Sequence, residues 1–388
     1  MEERMKFISR VLEGEKMTEL CREFGISRKT GYKVFNRYKE CGMEAMVDRS
    51  RRPHRFYNQT PFQIEKYIIR FKKDKPTWGA PKIREKLIRK FPDVRPPAIS
   101  TIHCVLDRNG LVAHRRKRKR LKAVGTPLSK NLSPNSLWSA DFKGQFLLGN
   151  KRYCYPLTVT DNFSRYLIAC EALENVQEKF AITTFERIFE EYGLPDAIRT
   201  DNGVPFASPN SLFNLSRLSV WWLRLGIAVE RIKPGNPQQN GKHERMHLTL
   251  KKEATRPSGQ NFLQQQEKFD SFIHDFNFER PHQALDMKYP SELYQHSNRK
   301  YSGISELDYP LHDIEVDVTH CGRICLNKLK ISLSTVFAGQ KVGLKQVADD
   351  IWLVTFIDYD LGYFDTESRN FEPLPNPFGP RLLPMSPV

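Results

Sequence analysis

"LWSADFKGQFLLGNKRYCYPLTVTDNFSRYLIACEAL", residues 137–173, contains three strand-like runs separated by short turns. Such runs, rich in aromatic and β-branched residues, predict an antiparallel meander. An amphipathic helical pattern follows at 177–193, and then short buried strand patterns alternate with further helices. The order β-β-β-α-β-α-β-α predicts an α/β domain with a mixed five-stranded sheet and helices on both faces.

A small all-α unit is predicted ahead of this domain, at residues 1–50. The sequence favours a helix near 17–24, a turn at Gly25 and a second helix capped by Ser27. The pattern resembles a helix-turn-helix whose second helix enters a DNA major groove, although two packed helices without a DNA role remain an alternative. A glycine inside a helix costs about 1 kcal/mol, so we expect the backbone at Gly31 to lie close to another group. The expected apolar positions are Leu20, Phe24, Ile26, Val34 and Tyr38.

A second helix-turn-helix unit is predicted at residues 61–112. Helical patterns near 80–91 and 98–108 flank a proline-rich turn, and Gly110 ends the second of them. We expect this unit to bind DNA as well. Its predicted core face consists of Ile83, Leu87, Ile99, Ile102, Val105 and Leu106.

The rest of the chain divides by composition. Basic linkers are predicted at 51–60 and 113–134, and the α/β domain with a helical extension at 135–298. Short alternating runs around glycines predict a small all-β barrel at 310–370, followed by a tail at 371–388. The sequence therefore predicts a multidomain protein.

Charge is distributed unevenly along the chain. The full sequence carries a net charge of +17, but residues 1–130 hold 34 Lys and Arg against 14 Asp and Glu, a net of +20. The remaining residues are slightly acidic. Because the excess is confined to the first third, we expect that part to bind a polyanion.

Several classes of protein are disfavoured by composition. There is no apolar run long enough to span a membrane, and the N-terminus lacks the apolar core of a signal peptide. Seven cysteines at scattered positions favour free buried thiols over a disulfide framework. We therefore expect a cytoplasmic protein without a membrane partner.

Three acidic residues fall at matching points of the predicted topology. Asp141 lies in the first strand, Asp201 directly follows the buried strand "AIRT", and Glu244 lies in the first turns of the helix after the last strand. An acid inside a strand is costly unless its charge is offset. Carboxylates brought together repel one another unless divalent cations lie between them. We expect two Mg²⁺ ions, with Mn²⁺ as a substitute, which would clamp the oxygens of a phosphodiester.

Three stretches carry a resemblance to a known family. "WSADFKG", "IRTDNGVPF" and "PGNPQQNGKHERMHLTLK" are similar to the catalytic blocks of the DDE transposase and retroviral integrase superfamily, which is RNase H-like in fold. The closer resemblance is to bacterial insertion-sequence transposases. The resemblance implies that Asp141, Asp201 and Glu244 are the catalytic and metal-binding triad.

The resemblance also implies an activity. The protein would bind the terminal inverted repeats of an insertion sequence, cut the 3′ ends and join them to target DNA. Its partner would be double-stranded DNA, on which it would form at least a dimer. In a bacterium it would be associated with the nucleoid. The 42 residues between Asp201 and Glu244 exceed the retroviral interval, and we assign the surplus to the loop "ASPNSLFNLSRLS".

Basic residues at three places are candidate DNA contacts. They lie on the second helix of the first unit, in the "RRKRKR" run and around Glu244. On the last helix, Glu244 and Lys251 fall two turns apart on one face, with His247 between them. The candidates are Arg28, Lys29, Lys33, Arg37, Arg115, Arg116, Lys117, Arg118, Lys119, Arg120, Lys242, Arg245, His247 and Lys251.

Other functions compete for the same residues. His243-Glu244-Arg245-Met246-His247 fits the H-E-x-x-H pattern of zinc peptidases, but cations surround it, and Glu267 and Glu279 are the only near candidates for a third ligand. A metal-dependent nuclease of the same fold and a DNA-binding regulator with an inactive core remain alternatives. Asp161 is a weaker candidate for the catalytic site, because "TDNF" is typical of a turn.

Overall fold

The computed structural model describes residues 2–48, 60–113 and 132–379 of the chain. Its contacts divide the chain into two units, residues 1–64 and 65–388. The predicted linker 51–60, most of the linker 113–134 and the last part of the tail lie outside the described residues. Arg115, Arg116, Lys117, Arg118, Lys119 and Arg120 lie there too.

The first unit contains three helices, α1 (Glu2–Leu12), α2 (Met17–Glu23) and α3 (Arg28–Cys41), and a 3-10 turn at Gly42–Met46. The two predicted helices are present, and the Ser27 hydroxyl accepts a hydrogen bond from the Thr30 amide at 3.2 Å. Helix α1 adds Phe7 to the core. A Cβ on Gly31 would lie 2.5 Å from the Cys21 sulfur, so glycine lets α3 pack closely on α2. The expected close approach is therefore made inside the unit.

Three more helices form the predicted second helix-turn-helix region: α4 (Phe62–Asp74), α5 (Ala80–Lys90) and α6 (Ile99–Arg108). The predicted core face is buried except for Ile99, which is 47% exposed because it occupies the first position of α6. Basic side chains of this region contact the helical extension of the α/β domain. Lys86 pairs with Glu279, Arg89 pairs with Glu292, and Lys75 pairs with Asp275.

A mixed sheet forms the centre of the α/β domain. Its strands are β1 (Trp138–Phe142), β2 (Phe146–Leu147), β3 (Tyr153–Asp161), β4 (Leu167–Leu173), β5 (Ala197–Thr200) and β6 (Ala228–Arg231). β3 pairs antiparallel with β1 and β4, and β5 pairs parallel with β1 and β6. The two-residue β2 pairs with the start of β3. The predicted order and mixed character of the five main strands are confirmed.

Helices cover both faces of this sheet, as predicted. They are α7 (Glu178–Tyr192), α8 (Arg217–Arg224), α9 (Gly241–Glu253) and α10 (Phe262–His274), the last continuing as a π-helical turn at Asp275–Glu279. Leu157 and Val159 of β3 belong to one core with α7 and α8. Cys154 of the same strand packs with residues of α9 and α10 on the other face. Alternation along β3 therefore assigns the two helical layers.

The surplus between Asp201 and Glu244 lies in a loop, as expected. Residues 201–216 contain a 3-10 turn at Leu212–Asn214 and run into α8, whose N-terminus is capped by Ser216. The carbonyl of Phe213 accepts a hydrogen bond from the buried Arg231 guanidinium at 3.0 Å. The loop is thus fastened to the sheet, and the sheet order is unaffected by its length.

The C-terminal region is all β, with strands β7 (Ile314–Asp317), β8 (Arg323–Leu326), β9 (Leu329–Ser332), β10 (Lys341–Ala348), β11 (Ile351–Phe356), β12 (Tyr359–Asp365) and β13 (Asn370–Pro373). They form an antiparallel sheet ordered β13-β12-β11-β10-β7 and a separate hairpin, β8-β9. The predicted closed barrel is not confirmed, because among the described strands β13 and β7 remain the edges of an open ladder.

Two further expectations concern composition. All seven cysteines are free, as expected, but only Cys21, Cys154 and Cys170 are buried, so the expectation of burial is wrong for the other four. Within the ranges the structure describes, we find no helix with the length and apolar character needed to cross a membrane.

Candidate active site

Two aspartates lie at the same edge of the sheet. Ser139 of β1 pairs with Arg199 of β5 in parallel register, so Asp141 and Asp201 each lie two residues beyond a paired position. Parallel strands advance together along the sheet, and this register therefore brings the two aspartates to equivalent places. The sequence-based expectation that these strands are neighbours is confirmed.

Glu244 completes the group from above the sheet. It is exposed, and it lies in the first turn of α9, which follows β6. A cavity of about 370 Å³ is lined by all three predicted carboxylates, Asp141, Asp201 and Glu244, together with Asn240. Residues 141, 201 and 244 are therefore neighbours in space although the chain separates them widely.

Electrostatics in this cavity reflect the crowding of negative charge. Burial, together with the smaller effects of the Asp201 and Glu244 charges, raises the pKa of Asp141 to about 7. Desolvation and like charge both disfavour the ionised carboxyl. A cation placed among these groups would reverse the effect, because it would stabilise the ionised form.

Asp201 is oriented by its own turn. Its Oδ1 accepts a hydrogen bond from the Gly203 amide at 3.1 Å. A Cβ on Gly203 would lie 3.0 Å from the Asp201 carboxylate, so a larger residue would press on this group. Glycine in the "DNG" turn thus has a local structural reason.

Two histidines of α9 lie on the face of the helix that packs against β3. Both are almost fully buried, and the Nε2 atoms of His243 and His247 lie 2.8 and 2.7 Å from the Thr158 hydroxyl of β3. The Nδ1 of His243 also lies 2.7 Å from the Thr160 hydroxyl. Burial lowers the pKa of His247 to about 3 and that of His243 well below its usual value, so both rings are neutral. His247 is 4% exposed and is not placed to contact DNA, which corrects that prediction.

These histidines approach one of the carboxylates. The His247 Nδ1 lies 3.7 Å from the Asp141 carboxylate. Within the described residues, the group of three potential metal ligands whose atoms all lie within 4.8 Å of one another is Asp141, His243 and His247. The Thr158 hydroxyl already bonds to both Nε2 atoms, so these nitrogens serve as hydrogen-bonding groups. Glu244 faces the carboxylate cavity instead, unlike the general base of a zinc peptidase.

Asp161 is a structural residue. It is 1% exposed, and its carboxylate accepts hydrogen bonds from the Asn135 amide at 2.9 Å and from the amide and hydroxyl of Ser164 at 2.7 and 2.6 Å. These bonds use the carboxylate oxygens to fix the turn after β3. Asp161 therefore belongs to the turn, as its sequence context indicated.

Two further acids form ion pairs. Glu230 lies 3.1 Å from the Arg199 guanidinium, and Glu253 lies 2.7 Å from the Arg280 guanidinium. Both pairs are largely buried at the side-chain level. Their negative charge is therefore offset within the protein.

The predicted DNA contacts differ in their availability. Arg28, Lys29 and Lys33 are exposed on α3, and Lys242, Arg245 and Lys251 are exposed on α9. Arg37 is half-buried, and its guanidinium donates a hydrogen bond to the Val47 carbonyl beyond the 3-10 turn. Arg37 therefore fastens the end of α3.

One residue of the cavity escaped the sequence-based interpretation. Asn240 precedes α9 and is 5% exposed, and its Oδ1 has no hydrogen-bond partner among the described residues. A buried amide oxygen without a partner is costly and marks a place where a ligand group can bind. Its position in the "QQNG" run was visible, but nothing in the sequence distinguished it from a turn residue.

Comparison with known proteins agrees with this arrangement. Integrase core domain models match residues 131–237 and 225–290. A helix-turn-helix domain model matches residues 3–54, and a homeodomain-like domain model matches residues 30–106. These matches cover both the helical units and the α/β domain.

Proteins of insertion elements are among the relatives. The chain is 28% identical over 183 residues to the 31.7 kDa protein of insertion element IS407 from Burkholderia multivorans, covering 47% of this chain and 63% of that protein. It is 29% identical to the 39.2 kDa protein of insertion element IS476 from Xanthomonas euvesicatoria, covering 42% of this chain and 44% of that protein. The chain thus spans less than two thirds of the length of either relative.

Viral integrases provide the structural neighbours. The catalytic core domain of HTLV-2 integrase, solved in complex with magnesium, aligns at 17% identity with a TM-score of 0.34, covering 43% of this chain and 100% of that chain. A simian T-cell lymphotropic virus intasome aligns at 16% identity with a TM-score of 0.38, covering 71% and 97%. Similarity this weak adds nothing to the assignment, which depends on the domain matches. Residues 131–290 match the integrase core family models, and helix-turn-helix and homeodomain-like domain models match the chain ahead of them.

Proposed function

We propose that this protein is the transposase of an insertion sequence. It binds the terminal inverted repeats of the element through its helix-turn-helix domains and catalyses Mg²⁺-dependent cleavage at the 3′ ends. It then joins those ends to target DNA. The observation that carries the proposal is the meeting of Asp141, Asp201 and Glu244 in one cavity of an integrase core domain.

The donor set of the cavity fits divalent cations. All three predicted ligands are carboxylates, the group that Mg²⁺ prefers, and Asn240 adds an amide oxygen without a partner. The raised pKa of Asp141 is what crowded carboxylates have before a cation offsets their charge. Asp141, Asp201 and Glu244 would therefore hold the ions.

The spacing of the ligands is compatible with two ions. The three carboxylates do not form a group in which all ligand atoms lie within 4.8 Å of one another in the described chain. Two ions about 3.5–4 Å apart are held by ligands spread over both, so a single tight cluster of all three is not required. When bound, such ions polarise the phosphodiester and stabilise the attacking and leaving oxygens.

The chain's own residues position the substrate. Asp141 and Asp201 are held by paired strands, which makes their placement rigid, and Glu244 is presented from the first turn of α9. Lys251 is exposed two turns further along the same face of α9, where its ammonium group can bind a DNA phosphate. In the first unit, Arg28, Lys29 and Lys33 are exposed on α3 and would contact the repeat.

Assembly follows from the reaction. An element has two ends, and joining both to one target requires at least two catalytic cores, so we propose a dimer or larger assembly on DNA.

Glu244→Gln in the full chain tests the assignment. With labelled element ends and Mg²⁺, the variant should lose both cleavage and joining while retaining end binding, because Gln cannot supply the negative charge. Glu190→Gln, an exposed glutamate of α7, is the matched control and should behave as the wild type.

The products distinguish the competing functions. Strand transfer retained by Glu244→Gln would overturn the catalytic assignment. Cleavage without joining by the wild type would favour the nuclease, and binding without either reaction would favour the regulator. Activity with Zn²⁺ alone, lost in His243→Ala, would favour a zinc enzyme.

A further inference from the structure

A second cavity lies on another face of α9. It has a volume of about 390 Å³ and is walled by four segments that are distant in the chain. These segments are the start of α5, the turn after β3, helix α9 and the chain after α10. Cations from all four converge on it, and we call it the cationic cavity. Its basic residues are Lys82, Arg165, Lys242, Arg245 and Arg280.

Helical geometry separates this cavity from the carboxylates. Lys242, Arg245 and Thr249 line the cationic cavity, and they follow one another at intervals of three and four residues. At about 100° per residue, this face is turned by about 100–160° from Glu244. The two cavities therefore lie on different faces of one helix.

The acidic side chains near the cationic cavity already have partners. Asp161 is bonded to its own turn, and Glu253 is paired with Arg280. Among the described residues, Lys82 and Lys242 donate to backbone carbonyls alone, those of Pro281 and Asn162, at 2.6 and 3.0 Å. A carbonyl dipole offsets a full positive charge only in part.

Two guanidinium groups of the cavity lack a partner among the described residues. Across the described ranges, neither Arg165 nor Arg245 forms an ion pair or a side-chain hydrogen bond. Arg165 is half-buried, and it occupies the left-handed region with φ of 63° in the turn after β3. An unpaired cation held in a partly buried place is costly, so its retention points to a ligand.

Burial and mutual repulsion act on the whole group. Burial, with smaller effects of the Arg280 and Arg245 charges, lowers the pKa of Lys82 to about 7. Burial lowers the pKa of Arg165 too. An anion bound among these cations would offset both their loss of hydration and their mutual repulsion.

His282 adds an unpaired polar atom to the same wall. Its Nε2 is buried without a hydrogen-bond partner in the described part of the chain, and burial lowers its pKa to about 3. The neutral ring can donate or accept one hydrogen bond, depending on which nitrogen carries the proton.

We propose that the cationic cavity binds a phosphate group of the DNA backbone, on the same strand as the phosphodiester that meets the carboxylates. Arginine matches phosphate oxygens with paired N–H groups, and lysine adds point charge. One strand of DNA carries a phosphate about every 3.4 Å of axis, and an α-helix with its side chains is about 10–12 Å wide. A strand that crosses α9 can therefore meet both cavities at once.

The inference rests on the proposed function in one respect: the strand at the carboxylates must be DNA. The cavity also suits a free phosphate, so inorganic phosphate is a second probe. The two sources share the same chemistry, and the experiment separates them.

Arg165→Gln in the full chain is the principal test. Binding of a labelled duplex is measured by fluorescence anisotropy in EDTA over a range of salt concentrations. Loss of one phosphate contact should weaken binding about 10-fold at 0.1 M salt and reduce the slope of log affinity against log salt by about 0.9. Arg217→Gln, an exposed arginine of α8, is the matched control and should keep the wild-type slope.

Lys82→Gln protects the test against misfolding of the first variant. Lys82 lies on a different element, and we expect the same reduction in slope. Wild-type slopes in both variants would overturn the proposal. A variant that loses affinity for inorganic phosphate but keeps the DNA slope would overturn the DNA source as well.

The readout is independent of catalysis. Absence of cleavage by the wild type with Mg²⁺ would count against the proposed function. The change in salt slope between the wild type and the Arg165 and Lys82 variants in EDTA, by contrast, reports on the cationic cavity. The two failures are therefore distinguishable.

Discussion

Glu244 and the histidines on either side of it occupy neighbouring faces of α9 but have opposite surroundings. Glu244 faces a solvent-accessible cavity with two other carboxylates, whereas His243 and His247 are buried against Thr158 of β3. The H-E-x-x-H pattern at 243–247 resembles a zinc site, but its members lie on different faces of the helix. The acid is exposed, and the two histidine rings are buried and neutral. The comparison teaches that the spacing of a motif does not fix which members share a site. It also predicts that changes on the acid side alter activity, while changes on the histidine side alter stability.

Asp201→Asn should have the largest effect on activity. Removing a residue that hydrogen-bonds to a metal ligand typically lowers metal affinity or activity about 10–100-fold. Losing a ligand itself should therefore lower strand transfer by more than about 100-fold. The amide retains an oxygen that can accept from Gly203, and the free energy of unfolding should change little. Strand-transfer assays and thermal unfolding measure the two quantities, with the exposed Asp349→Asn as control.

His243→Ala should have the opposite profile. The side chain is 1% exposed and makes two hydrogen bonds. Its removal leaves a cavity and takes the ring partner from the Thr160 hydroxyl, while the Thr158 hydroxyl keeps its bond to His247. We expect a loss of about 2–4 kcal/mol in the free energy of unfolding. Activity per folded molecule should stay within a few-fold of the wild type. A variant that is as stable as the wild type but inactive would contradict this prediction.

Asp141→Asn should stabilise the protein without divalent cations, in a pH-dependent way. The folded pKa of about 7 lies above the ordinary 3.8, so ionisation of Asp141 costs stability as pH rises between these values. The stability gained by the variant should be near zero at pH 4 and reach about 1–3 kcal/mol above pH 7. Urea unfolding in EDTA at pH 4 and pH 8 measures it. An equal gain at both values would refute the electrostatic cause.

Thr158→Val should have the smallest effect. The substitution keeps the shape but removes the hydroxyl shared by the two Nε2 atoms. Leaving buried nitrogens unpaired should cost about 1–3 kcal/mol, towards the lower limit here because His243 keeps its bond to Thr160. Chemical unfolding checks the loss. Thr183→Val, on an exposed position of α7, controls for the substitution itself.

Much of the fold could be predicted because its signals are local. Alternating apolar residues predicted β1, β3 and β4, Ser27 predicted the start of α3, and glycines predicted several ends. Helix α1 and the open C-terminal sheet were not anticipated. Helix α1 has local signals, with Glu2 and Glu3 in its first turn and Arg10 in its last, but they are weak in so short a segment. Closure of a barrel has none, because it depends on pairing between distant strands.

The two cavities differ in how far the sequence predicted them. Asp141 and Asp201 stood out because an acid in or directly after a strand is unusual. The blocks around both of them and around Glu244 also resemble a known family. Arg165 and Lys82 did not stand out, because the chain is rich in basic residues. Only their convergence with Lys242 and Arg245 distinguishes them, and convergence depends on the packing of four segments.

By itself, the sequence determined the order of strands and helices, the excess of positive charge in the first third and the identity of the three carboxylates. These depend on periodicity, composition and residue type, which are properties of the chain alone. The tertiary structure decided which side of α9 is buried, that the histidines are neutral and that His247 is withdrawn from solvent. It also decided that unpaired cations surround a second cavity. The physical reason is that burial, pKa and partnership depend on neighbours that the fold supplies from elsewhere in the chain.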